Sequence, residues 1–126
     1  MTRKLLVITG GILNILWGVA HLIPTSSVVN GFGNSTLDNK RIILMEWINE
    51  GFTLIFIGVL VLAVTITNKE NSRTLKVVYI TASSMLFAMA ILSLFTGFQI
   101  DFVPFKLCPV IFSFSGLLIL QGAFRK

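Results

Sequence analysis

Four long apolar runs decide what this chain can become. They extend from Leu5 to Ile23, from Ile42 to Thr67, from Val77 to Phe98 and from about Val103 to Phe124. Each is close to or above the ~20 residues that carry an α-helix across a ~30 Å hydrocarbon core. A soluble domain of this size cannot hide them, because short chains bury the smallest fraction of their surface. Of the 126 residues, 55% are hydrophobic and 12% charged, about half the ~25% charge of an ordinary soluble domain. Lipid must cover the remainder. Lipid offers nothing to pair with an open N–H or C=O, so the spans are helices. They are continuous rather than alternating, which excludes a spanning barrel. The expected fold is all-α: one domain over residues 1–126, an integral membrane four-helix bundle in up-down-up-down order. Its helices cover about 5–23, 42–67, 77–98 and 103–124, with a long connection at 24–41.

The charges orient the bundle. Arg3 and Lys4 before Leu5 resemble a secretory leader, but the apolar run is too long and no small-x-small cleavage site follows, so it reads as the first span. On one side lie Arg3, Lys4, Lys69, Arg73, Lys76, Arg125 and Lys126, and on the other only Lys40, Arg41 and Lys106. The positive-inside bias puts both termini in the cytoplasm. Isoleucine-, asparagine- and lysine-rich usage looks bacterial, hence an inner-membrane location. The net charge of +5 sits at the edges of apolar runs without a basic face carrying aromatics, so nucleic acid is rejected as a partner. One cysteine, Cys108, excludes an internal disulfide and a multi-cysteine metal cluster.

Polar residues inside spans mark candidate chemistry, because ionisable groups at membrane depth are expensive. The first helix ends near Ile23, so His21 lies about one turn from the outer boundary and Trp17 about two. The second runs inward from about Ile42, which places Glu46 roughly 6 Å and Glu50 roughly 12 Å deep. His21 is then expected level with Glu46, and Glu50 level with Trp17 and Asn14. Asn14, Trp17, Gly18 and His21 share one helix face, and Glu46, Glu50, Thr53 and Ile57 form a stripe on the next. Gly10, Asn14 and Gly18 make a small or polar row that suits close helix approach. Two carboxylates one turn apart repel when both are ionised, so they are expected to titrate in coupled steps. Lys106 is the expected cation above Glu46. Trp47 reads as an interfacial belt residue, and Cys108 as a small buried hydrophobe. In the 24–41 connection, Ser35-Thr36-Leu37-Asp38 resembles a capping box. The second helix is therefore expected to begin near Leu37 and to reach ~45 Å.

The plan resembles that of DoxX-like small bacterial membrane proteins. The segments that carry the resemblance are Gly10-Gly11-Ile12-Leu13-Asn14-Ile15-Leu16-Trp17-Gly18 and Glu50-Gly51-Phe52-Thr53-Leu54-Ile55-Phe56-Ile57-Gly58, under a quarter of the chain. The resemblance implies an architecture. The double glutamate and the long connection depart from that pattern, and the family is functionally mixed.

The expected function is binding of a small lipophilic molecule (quinone, isoprenoid or lipid) in an outward-facing polar pocket, with acid/base action on it. Glu46, Glu50 and His21 are the catalytic candidates, while Asn14, Trp17, Thr53 and Lys106 are the ligand-binding ones. The 24–41 connection is a candidate lid. With no second histidine and no Glu-x-x-His pair, no metal is included in this reading, and the cofactor is left open. The alternative is a non-catalytic accessory or scaffolding subunit whose polar cluster is structural. The partners are membrane lipid and a lipophilic small molecule, and the small-residue faces are compatible with a homo-oligomer or a membrane complex.

Overall fold

The computed structural model describes residues 2–68 and 72–125. Lys69 and Lys126, two of the cations counted above, lie outside them. The described residues contain five helices and no strand: α1 (Arg3–Leu22), α2 (Thr25–Gly31), α3 (Leu37–Thr67), α4 (Arg73–Thr96) and α5 (Val103–Phe124). Four of these, all but α2, are long and apolar enough to cross a membrane, as in a multi-pass membrane protein.

Capping explains where the helices begin. The side chains of Thr2, Thr36 and Ser72 accept from the amides of Leu5, Asn39 and Leu75, which starts α1 and α4 ahead of their apolar runs. The cap of α3 is Thr36, one residue later than the capping-box reading; the Ser35 hydroxyl donates instead to the Phe32 carbonyl. At 31 residues, α3 is ~46 Å long. The 24–41 connection is therefore not simply a loop. Pro24 ends the run of α1, the Thr25 hydroxyl takes up the Leu22 carbonyl at 2.6 Å, and α2 lies against α3 with Val28 buried. Gly33, with φ +54°, supplies the left-handed turn that only glycine adopts freely.

α1 packs on both α3 and α5, α5 packs on α4, and α3 touches α4 only slightly. Glycines set the α1–α3 spacing. Gly11 lies opposite Gly58 and Gly18 opposite Gly51, and a Cβ at Gly58 would stand 2.6 Å from the Gly11 carbonyl oxygen. Gly10 faces α5, where the buried Ser115 hydroxyl donates to its carbonyl at 2.8 Å. The core runs through Val7, Leu54, Val61, Tyr79, Leu86, Phe112 and Ile119, all fully or almost fully buried. Phe56, Ile66 and Phe95 remain 65%, 71% and 76% exposed, the expected outward face of apolar spans.

Candidate functional site

The Gly18–Gly51 contact brings the end of α1 against the first half of α3, and the polar residues of both helices meet beside it. Every helical side chain leans toward the start of its own helix. His21 lies just past Gly18 on α1 and leans back toward that level. Glu50, just before Gly51 on α3, starts nearer that level and leans away from it, toward the start of α3, so the two side chains meet between. The result is a buried imidazole whose Nε2 stands 3.6 Å from Glu50 Oε2, with the His21 side chain 2% and the Glu50 side chain 33% exposed. α5 adds Cys108, 3% exposed. One ligand atom from each of His21, Glu50 and Cys108 falls within 4.8 Å of the others.

Aromatic rings close over this point. Trp47 stacks on His21 with ring centroids 3.8 Å apart and an interplanar angle of 20°. Phe105 meets Trp47 edge-on at 5.3 Å, and Phe102 meets Phe105 at 5.6 Å. Both amide atoms of Asn14, the indole nitrogens of Trp17 and Trp47, and His21 Nε2 are buried without a hydrogen-bond partner. Each such group costs about 1–3 kcal/mol when left unmatched; those of His21, Trp17 and Trp47 gather beside Glu50 and Cys108 as a concentrated demand for a polar occupant, while Asn14 lies ~10 Å from His21 along α1.

The structure redraws the expected pairing. His21 meets Glu50 rather than Glu46. Glu46 is exposed and makes no hydrogen bond or ion pair among the described residues. The buried register of α3 passes through Trp47, Gly51, Leu54, Gly58 and Val61, and one residue is ~100° of helix, which carries Glu46 off the packed face. Lys106 does not approach Glu46 either; its Nζ pairs with exposed Asp101 at 3.1 Å. Thr53 donates back to the Asn49 carbonyl of its own helix at 2.7 Å. Asn14 is fully buried, and half-buried Trp17 packs against the apolar core. Trp17, His21 and Glu50 are thus brought to one end of the bundle, Asn14 is buried ~10 Å from His21 along α1, and Glu46, Thr53 and Lys106 are not joined to the cluster.

Trp47 and Cys108 belong to the cluster and were not expected in it. A signal for both was available. Gly51 and Gly58 repeat at the same seven-residue interval as Gly11 and Gly18; matching the pairs turns Trp47 inward. Cys108 lies five residues into α5, or ~8 Å along it, from the end that adjoins His21. Two surface hollows lie away from these residues, one lined by Arg3, Lys4, Thr65, Asn68, Leu75 and Tyr79, the other by Leu120, Gln121, Phe124 and Arg125.

The arrangement offers a proton donor and acceptor in contact range, unmatched N–H groups beside them, and nitrogen, oxygen and sulfur donors converging from three helices. No known protein family, curated protein or solved structure matches the chain.

Proposed function

We propose that this chain is an inner-membrane protein of up-down-up-down topology with both termini in the cytoplasm. In this reading it binds a small lipophilic molecule of the quinone, isoprenoid or lipid class at the outer end of the bundle. The order of the glycine pairs, Gly11 with Gly58 and Gly18 with Gly51, supports the reversal between α1 and α3. The kinship with DoxX-like proteins is part of the same reading and rests on the two glycine-bearing segments around those pairs.

One observation carries the functional reading: a buried imidazole faces a carboxylate that keeps a third of its side chain exposed. Glu50 is the group a ligand meets first, and His21 behind it exchanges the proton, the pairing that general acid/base catalysis needs. The unmatched N–H groups of Trp17 and Trp47 suit a carbonyl or hydroxyl oxygen on an otherwise apolar molecule. Acid/base work falls to His21 and Glu50, without Glu46.

The test is extraction of the protein purified in mild detergent, followed by mass spectrometry of what co-purifies. Wild type is expected to retain a defined lipophilic species that Glu50→Gln and His21→Gln lose while unfolding at the wild-type temperature. The tight Trp47–His21 stack favours a second reading, in which the cluster only locks α1 to α3. That reading requires the variants to lose stability and every extract to be the same.

A further inference from the structure

Three helices bring a nitrogen, an oxygen and a sulfur to one point. His21 on α1, Glu50 on α3 and Cys108 on α5 hold their ligand atoms within 4.8 Å of one another. The separation of His21 Nε2 from Glu50 Oε2 is 3.6 Å. A directly bonded imidazolium–carboxylate pair closes to ~2.7–2.9 Å. Two ligands sharing one tetrahedral ion instead stand ~3.3–3.6 Å apart, given bond lengths of ~2.0–2.2 Å. The Cys108 sulfur, inside the 4.8 Å group, needs to close by up to about 1.3 Å to complete the set. His21 is buried, and its Nε2 faces this point with no partner of its own.

Charge and softness narrow the occupant. A thiolate and a carboxylate with a neutral imidazole carry two negative charges, and a dication makes the whole neutral. Within apolar helices neutrality avoids the cost of a net charge at membrane depth. A sulfur ligand disfavours magnesium and calcium, which take oxygen, whereas thiolate with imidazole suits zinc and its neighbours. Trp47 and Phe105 supply the apolar surround that holds such ligands in place and keeps water out.

We propose that His21, Glu50 and Cys108 form a binding site for a divalent transition-metal ion of the zinc class. Three protein ligands leave a fourth position for an oxygen of the lipophilic molecule, and Glu50, its side chain a third exposed, marks its side of approach. The proposal rests on the reading of this cluster as a binding site and adds its occupant; with the ion in place, His21 and Glu50 serve as its ligands rather than as an acid/base pair.

Cobalt(II) is the probe, titrated into metal-stripped full-length protein in detergent. Cys108 is the only cysteine, so a thiolate-to-cobalt charge-transfer band can have no other source. One equivalent of cobalt should produce that near-ultraviolet band with the intense visible bands of four-coordinate cobalt, and zinc should displace it. Cys108→Ser should abolish the charge-transfer band, and His21→Ala and Glu50→Gln should each weaken cobalt binding by about tenfold or more. Wild-type protein showing no such band, or binding cobalt without it, overturns the metal site whatever the variants do. Retention of the lipophilic species separates the two claims. If wild type shows no cobalt band and the species still co-purifies, the metal site falls alone; if the band forms and no species co-purifies, the lipophilic ligand falls alone.

Discussion

Gly58→Ala tests whether the α1–α3 contact is as close as the glycine pairs require. A Cβ at this position would lie 2.6 Å from the Gly11 carbonyl oxygen, 2.6 Å from Ile15 Cγ1 and 3.1 Å from the Ile15 amide nitrogen. Two of those atoms are backbone and cannot swing aside. Reaching an ordinary contact near 3.4 Å means parting the helices locally by most of an ångström. A gap of that size forfeits about a quarter to a half of each atom-pair attraction of ~0.1–0.2 kcal/mol. Over roughly twenty pairs at the crossing this removes about 1 kcal/mol, and residual overpacking strain lifts the cost into the ~1–3 kcal/mol range. Alanine's better helix propensity returns up to about 1 kcal/mol. The expected net loss is about 1–2 kcal/mol, read from reversible unfolding in mixed micelles. Gly51→Ala is the internal comparison. Its nearest clash, at 2.5 Å, is the far end of the Leu22 side chain, which can rotate, so the cost should be smaller. Gly31→Ala meets nothing within 4 Å and should be neutral. Equal stability of Gly58→Ala and wild type, or a greater loss at Gly51, would refute the close-packed interface.

Gly18→Ala places a Cβ 2.8 Å from both the Gly51 carbonyl oxygen and Ile55 Cγ1, beside Glu50. It should weaken cobalt binding and ligand retention more than Gly58→Ala does, measured by the same titration and extraction. Glu46→Gln should match wild type in both assays and in stability, because the side chain is exposed and unpaired among the described residues; a loss comparable to that of Glu50→Gln would contradict the register of α3. Ser115→Ala removes the 2.8 Å bond to the Gly10 carbonyl and should cost about 0.6 and at most ~1.7 kcal/mol in detergent unfolding, the range for interhelical bonds in membrane proteins. Lys106→Ala should shift stability by no more than about 0.5 kcal/mol, since its pairing with Asp101 is exposed.

Much of the architecture was legible because length and apolarity leave a chain few alternatives. The run from Val103 to Phe124 is α5 to the residue, and the early start of α3 at Leu37 was readable from its polar cap. Helix rotation was harder. Glu46, Glu50, Thr53 and Ile57 look like one stripe, yet burial rises along it from exposed Glu46 to buried Ile57. A stripe of polar groups says little about which way a helix is turned when its outer face is also apolar. Glycines fix the rotation, since only they permit backbone contact at 58 and 11 or at 51 and 18. Depth counted from span ends also misplaced His21 against Glu46, because it ignored the lean of side chains along their helices. Cys108 resembled any small core residue until α5 had a neighbour, and that neighbour is made about a hundred residues earlier.

The central position of α1 sets the order in which the protein can be completed. Its first partner, α3, follows within the next forty-five residues, but its second, α5, leaves the ribosome only after α4. The bonds from Ser115 to the Gly10 carbonyl and from Arg3 to the Gly122 carbonyl bridge 105 and 119 positions of sequence. Until they close, the flank of α1 that carries Gly10 lacks its packing partner. A ribosome stalled after α4 would therefore hold a half-zipped intermediate, the form on which a membrane quality-control protease could act.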